Sequence, residues 1–111
     1  MENCIFCKIV NKEIPTSFVA EDGELVAFDD VRPKAPAHVL ILPKAHVLSV
    51  KEADEKLSGK LITLAKKIAE EKGLEGYKLI FNVGRKGGQV IEHLHLHLVG
   101  GWNEAPKKVE I

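Results

Sequence analysis

Residues 92–100 read Glu-His-Leu-His-Leu-His-Leu-Val-Gly. This alternation constrains the chain more than any other stretch, because side chains on a β-strand point to opposite faces with period two. As a strand it places His93, His95 and His97 on one face and Leu94, Leu96 and Leu98 on the other. The leucine face calls for burial in a core. The histidine face has no comparable structural job, yet it takes three of the protein's five histidines. Neighbours on one face lie ~6.5–7 Å apart at the strand rise. One imidazole can therefore orient the next through a backbone group or a small ligand.

Length and charge narrow the setting. A chain of 111 residues suggests one domain, spanning 1–111, with its own core. Sixteen basic residues balance sixteen acidic ones, so there is no electrostatic footprint for nucleic acid or an anionic membrane. No apolar run reaches the ~18–20 residues that cross a bilayer. Met1-Glu2-Asn3-Cys4 carries neither a basic start nor a long apolar stretch, so no signal peptide is read and a cytoplasmic protein is expected. The two cysteines, Cys4 and Cys7, are too close to staple a fold. In a reducing compartment C-x-x-C reads as metal binding or redox chemistry.

The remaining elements follow in order. Residues 4–10 are apolar at 5, 6, 9 and 10 and fit a short helix or turn packed on a sheet. Residues 17–21 and 24–29 read as a hairpin about the turn Asp22-Gly23. Residues 31–37, with two prolines, read as a loop, and the apolar run 38–42, closed by Pro43, as a buried central strand. A long helix follows: Ser49-Val50-Lys51-Glu52 matches a capping box, Leu57, Leu61, Leu64, Ala65 and Ile68 form its apolar stripe, and Gly73 suits its end. Strands are expected at 77–83 and 91–99, joined by the glycine-rich turn 84–88. Hairpins with a single long helix indicate an α+β fold, an antiparallel sheet covered on one face.

Two chemistries use clustered imidazoles: a catalytic zinc, and nucleophilic attack on a phosphorus or acyl centre. On a straight strand the outer two of these residues stand about 13 Å apart at Cα. Zinc–nitrogen bonds of about 2 Å do not close that span. Nucleophilic use needs only the middle ring, His95, at the reacting atom. The turn Gly84-Arg85-Lys86-Gly87-Gly88-Gln89 feeds the histidines directly, and glycines let backbone N–H groups approach an anion. A phosphate-bearing substrate is therefore expected. Arg85 and Lys86 read first as a solvated turn and only second as anion contacts.

The spacing of Asn82, Gly87-Gly88-Gln89 and His93-Leu94-His95-Leu96-His97-Leu98 resembles the signature of the histidine triad (HIT) superfamily. Further blocks fall in order: Cys4-Ile5-Phe6-Cys7-Lys8-Ile9, Glu13-Ile14-Pro15, Ala27-Phe28-Asp29-Asp30, His38-Val39-Leu40-Ile41-Leu42-Pro43-Lys44 and Gly100-Gly101. Together they are similar to the Hint branch, the histidine triad nucleotide-binding proteins, over nearly the whole chain. The resemblance implies a five-stranded antiparallel sheet with one long helix and a short N-terminal helix, and a homodimer whose sheets join into one of ten strands. It implies hydrolysis or transfer at the α-phosphate of a purine nucleoside phosphoramidate, such as an adenylated amine, with AMP or a related nucleotide as ligand. His95 then matches the nucleophile, with His97 and His38 as supporting imidazoles. Asn82, Gly88, Gln89 and Val90 match the phosphate site, Asp30 the ribose carboxylate, and Ile5, Phe6, Ile9, Phe28 and Val31 the pocket for the base. Phe6 and Phe28 read equally as core, Asp30 as a turn cap and His38 as a strand histidine.

Three departures stand out. Val90 occupies the place of a usual serine, which removes a hydroxyl donor. Glu92 replaces a usual aromatic, and by alternation it faces away from the histidines. The tail from Trp102 does not match the tails of animal members. Some bacterial members resembling this chain hold a structural zinc, and the matching ligands here are Cys4, Cys7, His46 and His93. Buried free thiols are the alternative. No catalytic metal is expected. Rival readings are a dinucleoside polyphosphate hydrolase and a nucleotide-binding regulator with weak catalysis.

Overall fold

The computed structural model describes residues 3–108 and 111. Met1 and Glu2, part of the segment read above as lacking a signal sequence, lie outside the described residues. The chain runs α1 (Ile5–Val10), β1 (Ala20–Glu21), β2 (Leu25–Asp29), β3 (Ala37–Pro43), a 3-10 turn (Val50–Glu52), α2 (Glu55–Glu71), β4 (Tyr77–Phe81), a second 3-10 turn (Arg85–Gly87) and β5 (Leu96–Gly100). The five strands form one antiparallel sheet in the order β1-β2-β3-β5-β4. Hairpin β1–β2 turns at Asp22, whose Oδ1 accepts the N–H groups of Glu24 and Leu25, each at 2.7 Å.

Alternation sorts the sheet into two faces. Leu25, Ala27, Val39, Ile41, Leu94, Leu96 and Leu98 pack against Leu61, Ala65, Ile68 and Ala69 of α2. Val26, Phe28, Leu40 and Leu42 pack against Phe6 and Ile9 of α1 on the opposite side. The expected stripe on α2 is thus the one that is buried, and the helix ends at Gly73 with φ 66°, a conformation glycine adopts freely. His97 pairs with Leu40 across β5 and β3, so its ring emerges on the α1 face.

Several boundaries differ from the sequence reading. Ser49 caps only the first 3-10 turn, with its hydroxyl donating to Glu52 at 2.6 Å. Asp54 caps α2 instead, accepting the Leu57 N–H at 2.8 Å. Ala53 between them is extended, with ψ 143°, which separates the two helical pieces. Regular pairing of β1 covers only Ala20–Glu21, although the Val19 N–H still bonds to the Ala27 carbonyl at 2.7 Å.

Strand β5 begins at Leu96, not at residue 91. Its ladder with β3 cannot extend further at Pro43, which has no N–H and whose carbonyl accepts from the His93 ring at 2.8 Å. The Leu94 N–H turns to the Val47 carbonyl at 2.6 Å. His93 and His95 therefore precede the regular strand rather than standing in it. β4 stops at Phe81, opposite Leu96, instead of reaching residue 83. Asn82 is engaged in the turn, donating to the Gly87 carbonyl at 2.8 Å.

Gly100 closes β5 against the start of β4. A Cβ there would meet the Gly76 carbonyl oxygen at 2.9 Å and Tyr77 Cβ at 3.0 Å. Backbone cannot yield as a flexible side chain can. Gly100→Ala should therefore cost about 1–3 kcal/mol. The check is a lower urea midpoint with an unchanged denaturant slope; an unchanged midpoint would show that the strand ends can move apart.

Candidate active site

Four buried imidazoles occupy the α1 face; His38, His93 and His95 each have a ring nitrogen committed to a backbone group, and His97 is held by His38. His95 Nδ1 lies 2.7 Å from the His93 carbonyl oxygen, which can only accept. That partner puts the proton on Nδ1 and leaves Nε2 as a bare lone pair. His38 Nδ1 accepts the Lys34 N–H at 3.0 Å, so its own proton sits on Nε2. His38 Nε2 is 2.9 Å from His97 Nδ1. His97 thus accepts at Nδ1 and carries its proton on Nε2. His93 donates from Nε2 to the Pro43 carbonyl, which frees its Nδ1.

The neighbours complete the arrangement. His95 and His97 rings meet edge to face with centroids 5.0 Å apart. The Phe6 ring meets His95 and Phe28 edge to face, with centroids 5.1 and 5.8 Å apart. Asp30 caps its own turn through Oδ1, which accepts the Arg32 N–H at 2.9 Å. Its Oδ2 remains 3.5 Å from His38 Nε2. His95 and His97 are each 8 % exposed, buried but not sealed.

Burial controls their charge. His97 is pushed down to about 4 by desolvation, and the His95 and His38 rings act in the same direction while Asp30 opposes them. Desolvation likewise lowers His38, partly offset by the Asp30 carboxylate. His95 is lowered by burial against its bond to the His93 carbonyl. At neutral pH these rings are uncharged, and a neutral ring with a bare Nε2 is the form able to attack.

With the site described, its relatives can be placed. The family model described as "HIT domain" matches residues 11–104. The chain belongs to the HIT family. Protein HitA of Neisseria gonorrhoeae is 47% identical over 104 residues, covering 90% of this chain and 97% of the relative. The purine nucleoside phosphoramidase of Escherichia coli K12 is 44% identical over 105 residues, covering 90% and 88%. A HIT family hydrolase from Clostridium thermocellum superimposes with TM-score 0.89 at 44% identity, over 96% of this chain and 97% of the other. With such relatives this HIT chain is an enzyme, a hydrolase.

The residues singled out in the sequence are only partly brought together. His38, His95, His97, Asp30 and Phe6 come together as described. Phe6, Ile9 and Phe28 belong to one buried apolar cluster, so they serve as core even where they border the histidines. Ile5 and Val90 are exposed and share a cavity of about 450 Å³ with Cys4, His46, Leu48 and Ile91. Val31 is almost fully exposed, at 93 %.

The glycine turn is tighter than an open nest. The N–H groups of Gly87, Gly88 and Gln89 bond to carbonyls inside it, and the Gly84 N–H bonds to Gln89 Oε1 at 2.9 Å. Gln89 is itself buried, with Nε2 donating to the carbonyls of Leu48 (2.6 Å) and Ile91 (3.1 Å). Asn82 Nδ2 donates to Gly87 and also lies 3.3 Å from the Ile111 carbonyl. Gly88 needs to be glycine, since it sits at φ +85° with Asn82 Nδ2 3.3 Å from where a Cβ would be. Arg85 reaches only Glu92, at 3.8 Å, and both are exposed. Sequence reasoning missed the backbone anchors on Lys34, Pro43 and Leu48, which carry no side-chain signal.

Cys4, Cys7, His46 and His93 form a second group, with ligand atoms all within 4.8 Å of one another. Cys7 Sγ lies 3.2 Å from His46 Nδ1 and 3.5 Å from His93 Nδ1, and Cys4 Sγ is 3.4 Å from His93 Nδ1. These four residues could hold a metal ion.

The His97 titration predicts a pH dependence of stability. In the unfolded chain this ring returns to its ordinary 6.5, while in the fold it stays near 4. Between those values the unfolded state holds the extra proton, so stability is complete above 6.5 and falls as pH drops toward 4. The full window corresponds to roughly 3 kcal/mol. His97→Gln, which does not titrate, should lose less stability than the parent between pH 7 and 4.5 in urea unfolding. Parallel losses in the two proteins would refute the assignment.

Proposed function

We propose that this single HIT domain, 1–111, hydrolyses purine nucleoside phosphoramidates at the α-phosphorus through a nucleotidyl-histidine at His95. The observation that carries the reading is the His95 tautomer: its Nδ1 proton is held by the His93 carbonyl at 2.7 Å, so Nε2 is free to attack. The E. coli relative is named for this activity at 44% identity.

In the first step Nε2 bonds to phosphorus and the P–N bond breaks, its electron pair going to nitrogen. That nitrogen takes up a proton from solvent beside His97, whose neutral ring keeps its own Nε2 proton and is held from the other side by His38 at 2.9 Å; the proton released in the second step restores the balance. In the second step water attacks phosphorus, the Nε2–P bond breaks and the water proton is released. The products are the amine and a nucleoside monophosphate, with His95 neutral again. The His97 N–H stabilises a phosphate oxygen. The Val90 N–H, which has no hydrogen-bond partner among the described residues, supplies a second donor. In this reading Gln89, Asn82 and Gly88 shape the phosphate wall, with Gln89 bracing the turn from within. Asp30 Oδ2 receives the ribose hydroxyls, and Ile5, Phe6, Ile9, Phe28 and Val31 border the base.

The Cys4, Cys7, His46 and His93 group fits a structural zinc. Two thiols and two imidazoles suit a closed tetrahedral site. The freed Nδ1 of His93 faces both sulfurs. Burial raises Cys7, so a thiolate there needs a cation beside it. Bound zinc would tie α1 to the sheet and take no part in the chemistry.

Strand β4 is an outer strand of the sheet. Pairing of two such edges in a homodimer would build one sheet of ten strands and cover the unpaired backbone. Among the described residues no helix is long and apolar enough to cross a membrane. The reading places the enzyme in the cytoplasm, where reducing conditions keep both cysteines as thiols.

His95→Ala should lower hydrolysis of an adenosine phosphoramidate by at least about 10³-fold. Its affinity for AMP should stay within about threefold of the parent, because only the attacking atom is lost. Near-parental turnover in this variant would defeat the proposal. Sedimentation of the purified protein at monomer mass would remove the dimer from it.

A further inference from the structure

His93 serves two sites at once. Its ring belongs to the cysteine group, while its carbonyl oxygen holds the Nδ1 proton of His95. We propose that Cys4, Cys7 and His46 are positioning residues for His95, acting through His93. With a metal ion in that group, the His93 carbonyl is held where it keeps His95 in the Nδ1–H form. Emptying the group releases the carbonyl and lowers turnover. This rests on His95 as the nucleophile and on zinc as the fitting ion.

The local backbone makes the coupling necessary. Residues 91–95 stand outside the sheet ladder, which begins at Leu96. Between Gln89 and the strand, the backbone N–H of Leu94 makes a bond outside regular structure, to Val47. The His93 carbonyl shares a planar peptide unit with that N–H, so the Val47 bond pins one end of the unit and the His93 side chain sets its tilt. That ring has one fixed anchor, the Pro43 carbonyl on Nε2 at 2.8 Å. Its Nδ1 faces the sulfurs of Cys4 and Cys7 at 3.4 and 3.5 Å, where a neutral thiol gives only a weak hydrogen bond. Held by one bond at the ring and one at the peptide, the residue can still rock between the two, and the carbonyl tilts with it. A second anchor removes that freedom.

A second route runs through α1. Phe6 lies between the two cysteines in sequence and packs edge to face on both rings, with centroids 5.9 Å from His93 and 5.1 Å from His95. A shift of the six-residue helix moves Phe6 against the nucleophile. Outer partners of this kind commonly change activity by about 10–100-fold.

The test compares protein saturated with Zn²⁺ under reducing conditions with the same protein stripped by a chelator. Ring nitrogen–proton correlation spectra at one fixed pH report the His95 tautomer directly. The loaded protein should show His95 as a single Nδ1–H form, and the stripped protein a mixture of both forms. Turnover of an adenosine phosphoramidate should fall about tenfold or more in kcat, with KM changing less than about threefold. If stripping unfolds the chain, as circular dichroism would show, exchange of Zn²⁺ for the larger Cd²⁺ replaces it. The His95 Nδ1–H resonance should then differ between the two metal forms. Failure to take up zinc, or His95 ring signals identical in the compared forms, overturns the proposal. Loaded protein that turns over no phosphoramidate would refute the proposed function, and the tautomer comparison would still decide the coupling.

Discussion

Backbone groups fix which nitrogen of each buried imidazole carries the proton, and the chemistry of the site depends on that constraint. A carbonyl oxygen can only accept and an N–H can only donate, so a ring nitrogen placed against either has its protonation decided. The His93 carbonyl sets His95, the Lys34 N–H sets His38, and His38 in turn sets His97. No titrating partner is needed for this order. Burial reinforces it, because the rings lose more by becoming charged than Asp30 returns to them.

The sheet makes those anchors available by giving its two faces different work. The face under α2 is wholly apolar and supplies cohesion through Ile41, Leu61, Ile68, Leu96 and Leu98. The face under α1 mixes Leu40, Leu42 and Phe28 with histidines, and α1 is only six residues long. A helix that short has little stability of its own. Its packing through Phe6 and Ile9, and the cysteine group at its start, hold it over the histidines. The segment nearest the chemistry is thus the one with the least regular structure to support it.

Pro43 links these features. It closes β3, interrupts the ladder to β5 and presents its carbonyl to the His93 ring. Because pairing stops there, residues 91–95 lie outside the regular strand, and the His93 ring turns to Pro43 and the cysteines. This separates the histidine that faces sulfur from the two that face each other. One signature of alternating residues therefore builds parts of two sites.

Much of this was legible in the chain itself. The alternation of leucines and histidines determined which side chains are core and which are chemical, because period two is a property of any extended backbone. The Asp22-Gly23 turn, the α2 stripe and Gly73 marked hairpin and helix through local propensity and capping. The resemblance to bacterial family members that hold zinc pointed to Cys4, Cys7, His46 and His93 as a common cluster, which the fold assembles. What the chain could not show was the role of groups without side-chain identity. The carbonyls of His93 and Pro43, the Lys34 N–H and the internal bonding of the glycine turn are the same chemical group at every position. Only tertiary placement distinguishes one carbonyl from another. For the same reason the start of β5 and the switch from Ser49 to Asp54 as the α2 cap depended on which partners each backbone group finally met.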